Sequence, residues 1–133
     1  MAHNKEIRIA IVDDNLHAAE TLEYVLKKRG VATQVFPSCE KLLESHPEYD
    51  AYITDTDLGH DMNGFDCAKE IRARDPNAVI VGISLISESE GDVAKKESEL
   101  REIYRRLGAD DFVNRTDGSG VIAARVLELL AGR

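Results

Sequence analysis

Apolar residues gather in five short runs, IRIAIV, ATQVF, AYIT, VIVGI and DFVN, and between the runs they recur at helical spacing instead. The pattern predicts strands over Ile7 to Val12, Ala32 to Phe36, Ala51 to Thr54, Val79 to Ile83 and Asp111 to Asn114. Helices are expected over about Leu16 to Arg29, Glu40 to Ser45, Phe65 to Arg74, Val93 to Leu107 and Val121 to Leu130. The first helix carries Leu16, Ala19, Leu22, Val25 and Leu26 on one face and stops at Gly30; Asp75-Pro76 stops the third. The fourth turns Val93, Leu100, Ile103, Tyr104 and Leu107 to its inner side. The turn HPEYD and the loop DTDLGHDMNG join elements in the first half. Strands alternating with helices imply right-handed crossovers, so the expected fold is α/β, a three-layer sandwich with a parallel sheet covered on both faces. No Pro/Gly/Ser-rich linker divides the chain, so residues 1–133 are expected to form one domain, with no separate output domain after the last helix.

Four polar sites stand where apolar runs stop: Asp13-Asp14, Asp55, Ser84 and Arg115. Each has an ordinary use alone, since Asp13, Asp14 or Asn15 can cap a helix, Asp55 can serve a turn, Ser84 can cap and Arg115 can face solvent. Together they meet at the carboxyl edge of one sheet, the edge where open parallel sheets bind ligands. Three converging carboxylates repel one another unless a cation joins them, and hard oxygen ligands with room for water suit Mg²⁺. Asp55 beside a cation and a fixed positive side chain can then act as nucleophile toward a phosphoryl donor.

Composition narrows the partners. The chain of 133 residues is 43% hydrophobic, enough for one well-buried core. Its formal charge of −8, with no basic cluster beyond Lys27-Lys28-Arg29, argues against nucleic acid or an anionic membrane as direct ligand and for a cation or a protein. No apolar run approaches the length of a membrane span, so a soluble, cytoplasmic protein is expected. Cys39 and Cys67 lie in helical segments without metal-type spacing and are expected as reduced thiols.

Over nearly its whole length the chain resembles a response-regulator receiver domain of two-component signalling. The resemblance rests on VDDN after the first strand, TDTDL at the end of the third, Gly64 opening the third helix, Ser84 after the fourth strand and GADDFVNR around the fifth. It implies a flavodoxin-like sheet of order 2-1-3-4-5 and Asp55 as phosphoacceptor. It implies a Mg²⁺ site made by Asp13, largely through water, with Asp14, Asp55 and the backbone carbonyl of Asp57. Ser84 would hydrogen-bond the phosphoryl group, and Phe112 would change rotamer in step with it. The partners implied are a sensor histidine kinase or histidine phosphotransfer protein as donor, and a downstream protein target or a second copy as reader.

Several positions depart from the family pattern. Arg115 stands in place of the family's lysine, Thr116 in place of the proline after it, Gly59 in place of the proline after Leu58, and Leu85 where a small residue is common. Asp57 and Asp61 add negative charge beside the site. The stretch between Ser84 and Arg115 is longer than usual, and Lys95/Glu99, Glu97/Arg101 and Glu102/Arg106 are spaced for pairing on a solvated helix face. Tyr104 and Phe112 are the expected partner-surface residues of this region. Two other functions are compatible with the residues. One is a pseudo-receiver that docks without being phosphorylated; the other is a phosphatase of the haloacid-dehalogenase type, read from ITDTDLG with Asp55 as nucleophile and Asp57 as acid/base. The first-choice reading is a self-phosphorylating signalling domain and not a turnover enzyme.

Overall fold

A computed structural model describes residues 6–45, 48–59 and 61–133. The expected turn at His46-Pro47 and the loop position His60 lie outside the described residues. Five strands form one parallel sheet: β1 (Arg8–Val12), β2 (Ala32–Phe36), β3 (Ala51–Asp55), β4 (Val79–Ser84) and β5 (Asp111–Asn114). Their order is β2-β1-β3-β4-β5, so the direction of growth reverses beside β1. Five helices cross between or follow them: α1 (Leu16–Lys28), α2 (Cys39–Glu44), α3 (Gly64–Arg74), α4 (Val93–Arg106) and α5 (Ser119–Ala131).

The sheet is covered on both faces, and the period of two along each strand decides which residue meets which layer. Ile9, Ile11, Ile53, Val81 and Ile83 pack with Leu22 and Leu26 of α1 and Ile122 and Val126 of α5. The residues between them, Ala10, Val12, Tyr52 and Ile80, pack with Leu42, Ile71, Leu100 and Tyr104 on the other side. β3 and β4 are buried along their full length, as a central parallel strand requires. Side chains cap four helix starts: Asn15 for α1, Ser38 for α2, Asn63 with Asp66 in a capping box for α3, and Asp92 for α4. The cap at α1 therefore falls to Asn15, which leaves Asp13 and Asp14 for other work.

Element boundaries fall within one or two residues of expectation, with two differences that matter. β3 runs through Asp55 and β4 through Ser84, so both side chains are held by strand backbone and not by a loop. The stretch between Ser84 and Asn114 folds as a 3₁₀ turn (Glu88–Glu90) and the fourteen-residue α4, and a second 3₁₀ turn (Arg115–Asp117) follows β5. No cis peptide occurs among the described residues, as Thr116 in place of proline leads one to expect.

Of the three ion pairs foreseen on α4, Glu102–Arg106 is made, at 2.9 Å. No bond joins Lys95 and Glu99 among the described residues. Arg101 turns inward instead, because Asp111 offers a buried carboxylate: its Nε donates to Asp111 Oδ1 at 2.8 Å and its Nη2 to the Phe112 carbonyl at 3.0 Å. Arg125 of α5 donates to the other Asp111 oxygen at 2.7 Å. Burial pushes the Asp111 carboxyl up, but bonds from Arg125, the Phe112 N–H and Arg101 outweigh it and leave it below its ordinary range. Glu97 accepts from Asn114 at 3.4 Å. Of the three expected pairs one forms among the described residues, because α4 turns Glu97 and Arg101 toward β5.

The expectation of two reduced thiols is corrected. Cys39 at the start of α2 and Cys67 in the second turn of α3 form a disulfide, their Cα atoms 5.6 Å apart. The physical reason is packing: α2 and α3 lie on the same face of the sheet, and both cysteines are wholly buried in its core. Closing a loop across a separation of 28 residues stabilises the fold by about 3.5 kcal/mol in the chain-entropy picture. Alkylation in denaturant without reductant is expected to leave both cysteines unmodified, and reduction followed by alkylation to lower the urea midpoint by a corresponding amount. Free thiols in the purified chain would contradict the bond.

Candidate functional site

The sheet register brings the polar residues together. Val12 lies opposite Thr54 across β1 and β3, so Asp13, one residue on, emerges beside Asp55. Asp55 lies opposite Ile83, which places Ser84 one step further, and Ser84 lies opposite Asn114, which places Arg115 one step beyond that. All four sites thus reach one level of the carboxyl edge, next to the reversal of strand order.

Asp13, Asp14 and Asp55 each offer a carboxylate oxygen, and these oxygens lie within 4.8 Å of one another. Asp13 is fully enclosed; its Oδ1 accepts from the Asn15 N–H at 2.9 Å and its Oδ2 from the Arg115 guanidinium. The other arm of Arg115, Nη1, stands 3.5 Å from Asp55 Oδ1. Arginine's fork spans two carboxylates at once, which the point charge of a lysine does less well. Asp14 is exposed, and its Oδ2 would lie 3.1 Å from a Cβ at position 59. Gly59 has φ +64°, a conformation closed to the proline common at that position and open to glycine.

Asp55 is under charge stress. Burial pushes its carboxyl up, the neighbouring Asp13 charge adds to that, and Arg115 pulls the other way; the result is about 6 against an ordinary 3.8. The side chains open onto a cleft of about 450 Å³, also lined by Asn15, Asp57, Ser84 and Leu85. Asp57 is an exposed member of that lining. Leu85 is 64% exposed at the rim and so narrows the approach without filling the site. A second depression, of about 590 Å³, lies at the opposite end of the sheet, but its Arg72, Arg125 and Arg133 are paired with Asp110, Asp111 and Asp50.

Two expected surface residues are corrected. Tyr104 and Phe112 are both 0% exposed, so neither presents a face to a partner in this structure. The reason is at position 82: the missing side chain of Gly82 in β4 leaves room for the Tyr104 ring, whose Cζ would lie 2.3 Å from a Cβ there. Phe112 stacks on that ring at 5.9 Å between centroids. The exposed apolar side chains of this region are Ile103 and Leu85. Sequence reasoning also passed over Thr56 and Asn114. Thr56 bonds the Ile83 carbonyl through both its N–H and its hydroxyl, at 3.0 and 2.9 Å. Asn114 holds the loop after Ser84, accepting from the Ile86 N–H at 3.3 Å and from the Thr116 N–H at 3.0 Å. A glycine inside an apolar strand, and a polar residue directly after Asp55, were the available signals.

A parallel sheet of this order with an acidic cluster, a hydroxyl and a cationic side chain at its carboxyl edge defines a flavodoxin-like α/β domain with a polar site at the switch point of the sheet. The sequence model of the response regulator receiver domain matches residues 9–126, and the chain belongs to that family of two-component signalling proteins. It is 29% identical over 124 residues to the transcriptional regulatory protein CreB of Escherichia coli (strain K12), covering 90% of this chain and 49% of CreB. The chain thus spans about half the length of that curated relative. Among solved structures it is similar to a CheY-like receiver domain protein from Methanospirillum hungatei JF-1, with a TM-score of 0.80, 15% identity and 96% of each chain covered. It is also similar to the BeF3-activated receiver domain of DrrB, named elsewhere as a Thermotoga maritima protein, with a TM-score of 0.79, 21% identity, and 97% of this chain and 100% of that one covered. These last two likenesses bear on the fold.

The strain on Asp55 has a measurable consequence without any metal. A carboxyl raised from 3.8 to about 6 favours the folded state most when protonated, so its contribution to stability is lost as pH rises across that window. In EDTA, Asp55→Asn is expected to be more stable than wild type at pH 7 by about 2–3 kcal/mol, the difference vanishing below pH ~4. Urea unfolding of both proteins from pH 3.5 to 8 measures it. Equal stability across the range would contradict the charge stress.

Proposed function

We propose that the chain is the phosphoacceptor receiver of a phosphorelay, taking a phosphoryl group on Asp55 from a phosphohistidine donor with Mg²⁺ and switching a surface read by a protein partner. The observation that carries this reading is the convergence of the Asp13, Asp14 and Asp55 oxygens within 4.8 Å, beside Arg115. The donor set fits the metal: three hard carboxylate oxygens, two from buried residues and one from a residue exposed to an open cleft with room for water, with the Asp57 carbonyl proposed as a further ligand. A divalent cation bound there screens the carboxylates and the oxygens of the incoming group.

The remaining roles belong to the chain itself. An Asp55 carboxylate oxygen attacks phosphorus, the bond from phosphorus to the donor imidazole nitrogen breaks, and the imidazole leaves with that electron pair. Near neutral pH Asp55 is largely ionised, as attack requires, though its raised carboxyl shows the ionised form to be poorly stabilised. Arg115 already lies against Asp55 and supplies fixed positive charge to the transferred oxygens. Ser84, one strand over, donates its hydroxyl to the phosphoryl group once formed. A movement of Ser84 and Phe112 then repopulates a second conformation. The donor is a sensor histidine kinase or a histidine phosphotransfer protein, and the reader a downstream protein or a second copy of the chain. No helix among the described residues is long and apolar enough to cross a membrane. We place the domain in the cytoplasm, where a reducing pool opposes the Cys39–Cys67 bond but the wholly buried sulfurs are shielded from small thiols.

A second reading draws on one observation. Arg115 bridges Asp13 and Asp55 from within, so the cluster is partly neutralised by the chain's own cation, which suits a domain that docks without phosphorylation. The phosphatase reading has no such support, since ITDTDLG spans the end of β3, third strand in the chain, and the chain belongs to the receiver family.

Intact-mass analysis after incubation with acetyl phosphate and Mg²⁺ separates the two readings. The expected result is a gain of one phosphoryl group that is lost in Asp55→Asn and in EDTA. A wild-type chain that gains nothing would overturn the phosphoacceptor reading in favour of docking.

A further inference from the structure

Tyr104 is a buried polar group that the chemistry above does not use. Its ring lies between Phe65, 4.9 Å away between centroids, and Phe112, and fits against Gly82 on one side and Gly64 on another. Its hydroxyl meets one polar side chain, Thr56 Oγ1, at 2.7 Å. The direction of that bond follows from the next one. The Thr56 hydroxyl gives its single proton to the Ile83 carbonyl at 2.9 Å, so Tyr104 is the donor to Thr56.

The bond joins three parts of the molecule. Thr56 follows Asp55, and Ile83 precedes Ser84; the Thr56 carbonyl also accepts from the Gly64 N–H at 2.9 Å, where α3 begins. Tyr104 belongs to α4, whose preceding residue, Ile103, is 41% exposed. Packing alone does not call for the hydroxyl. A phenylalanine would fill the same space, and a buried hydroxyl is costly unless bonded, so what the oxygen adds is the link to Thr56. The ring lies against the bare backbone of Gly82 and Gly64, where a Cβ would come 2.3 Å from its Cζ and 2.6 Å from its hydroxyl, and Phe65 and Phe112 pack on it as well. Displacement of Thr56 or of the Ile83 carbonyl is therefore passed to the ring and to α4.

We propose that Tyr104 is a positioning residue which, through the Thr56 hydroxyl, couples the loading of Asp55 and Ser84 to α4. The inference rests on the phosphoacceptor reading of Asp55. It assigns to Tyr104 an internal linking role in place of the partner contact expected from sequence.

The test uses the full chain as wild type, Tyr104→Phe, Thr56→Val and the double variant. Amide hydrogen exchange is measured with and without Mg²⁺ and beryllofluoride, a phosphoryl mimic, and melting temperatures are recorded in parallel. In wild type, loading should change exchange both at residues 83–86 and along residues 100–107. In Tyr104→Phe the change along α4 should shrink by about threefold or more, the effect of one ordinary net hydrogen bond of coupling, while residues 83–86 respond as in wild type. Thr56→Val, which also removes the bond to the Ile83 carbonyl, should reduce the α4 response likewise, and the double variant should lower that response no further than Thr56→Val alone, because the link from Tyr104 to Thr56 is already cut. A purely structural role would lower protection throughout the unloaded protein and leave the response of α4 to loading intact; that result, or additive losses in the double variant, would overturn the proposal. A wild-type chain that accepts a phosphoryl group while α4 stays unresponsive would overturn this inference alone. One that accepts no phosphoryl group and responds nowhere would overturn the phosphoacceptor reading as well.

Discussion

Three carboxylates share a space in which their charges cannot all be left unanswered, and much of the carboxyl edge of the sheet is arranged around that repulsion. Asp13 is enclosed, Asp55 is nearly so, and together with Asp14 their oxygens lie within 4.8 Å. The chain answers with one guanidinium, whose two arms reach Asp13 and Asp55, and with the Asn15 N–H turned onto Asp13. That answer is incomplete. Asp55 remains well above its ordinary carboxyl range, burial being the largest cause and Asp13 the next. A site kept in this condition has a use for more positive charge, which is why the cluster reads as a place for a divalent cation and not as a stabilising feature of the fold.

The rest of the molecule holds that edge in position. Cross-strand register sets Asp13, Asp55, Ser84 and Arg115 at one level. Beneath them, two glycines and three aromatic rings fill the space between sheet, α3 and α4, with Gly82 making room for Tyr104 and Gly64 bringing the start of α3 against the Asp55 backbone. On the outer side Asp111 gathers Arg101 of α4 and Arg125 of α5, so β5 and both flanking helices are tied through one buried carboxylate. The Cys39–Cys67 bond fixes α2 to α3 on the same face as Tyr104. Together these ties hold α2 to α3, and α4 and α5 to β5, around the site.

Much of this was legible in the sequence because strands of a parallel sheet are short, apolar and separated by helices, and because the site residues stand directly at the strand ends. The spacing of VDDN, TDTDL, Ser84 and DFVNR was therefore enough to bring the polar groups to one edge. Three features were not legible, each for a stated reason. The disulfide depends on the lateral packing of α2 against α3, which sequence separation does not encode. Helical periodicity placed both Tyr104 and Ile103 on the inner side of α4, but the complete burial of Tyr104 depends on a missing side chain at Gly82, on a different element, and Ile103 is 41% exposed. Arg101 was at correct spacing for Glu97, yet a buried carboxylate at Asp111 offers a stronger partner than a solvated one.

The central claim is that the unanswered negative charge at Asp13, Asp14 and Asp55 makes a divalent-cation site. Calorimetric titration of Mg²⁺ into the full chain tests it most directly, with Asp14→Asn beside wild type, because Asp14 is exposed and its replacement leaves the core untouched. The account predicts saturable binding of one ion per chain that is weakened or lost in Asp14→Asn. Absence of binding in the wild type, or equal binding in the variant, would contradict it.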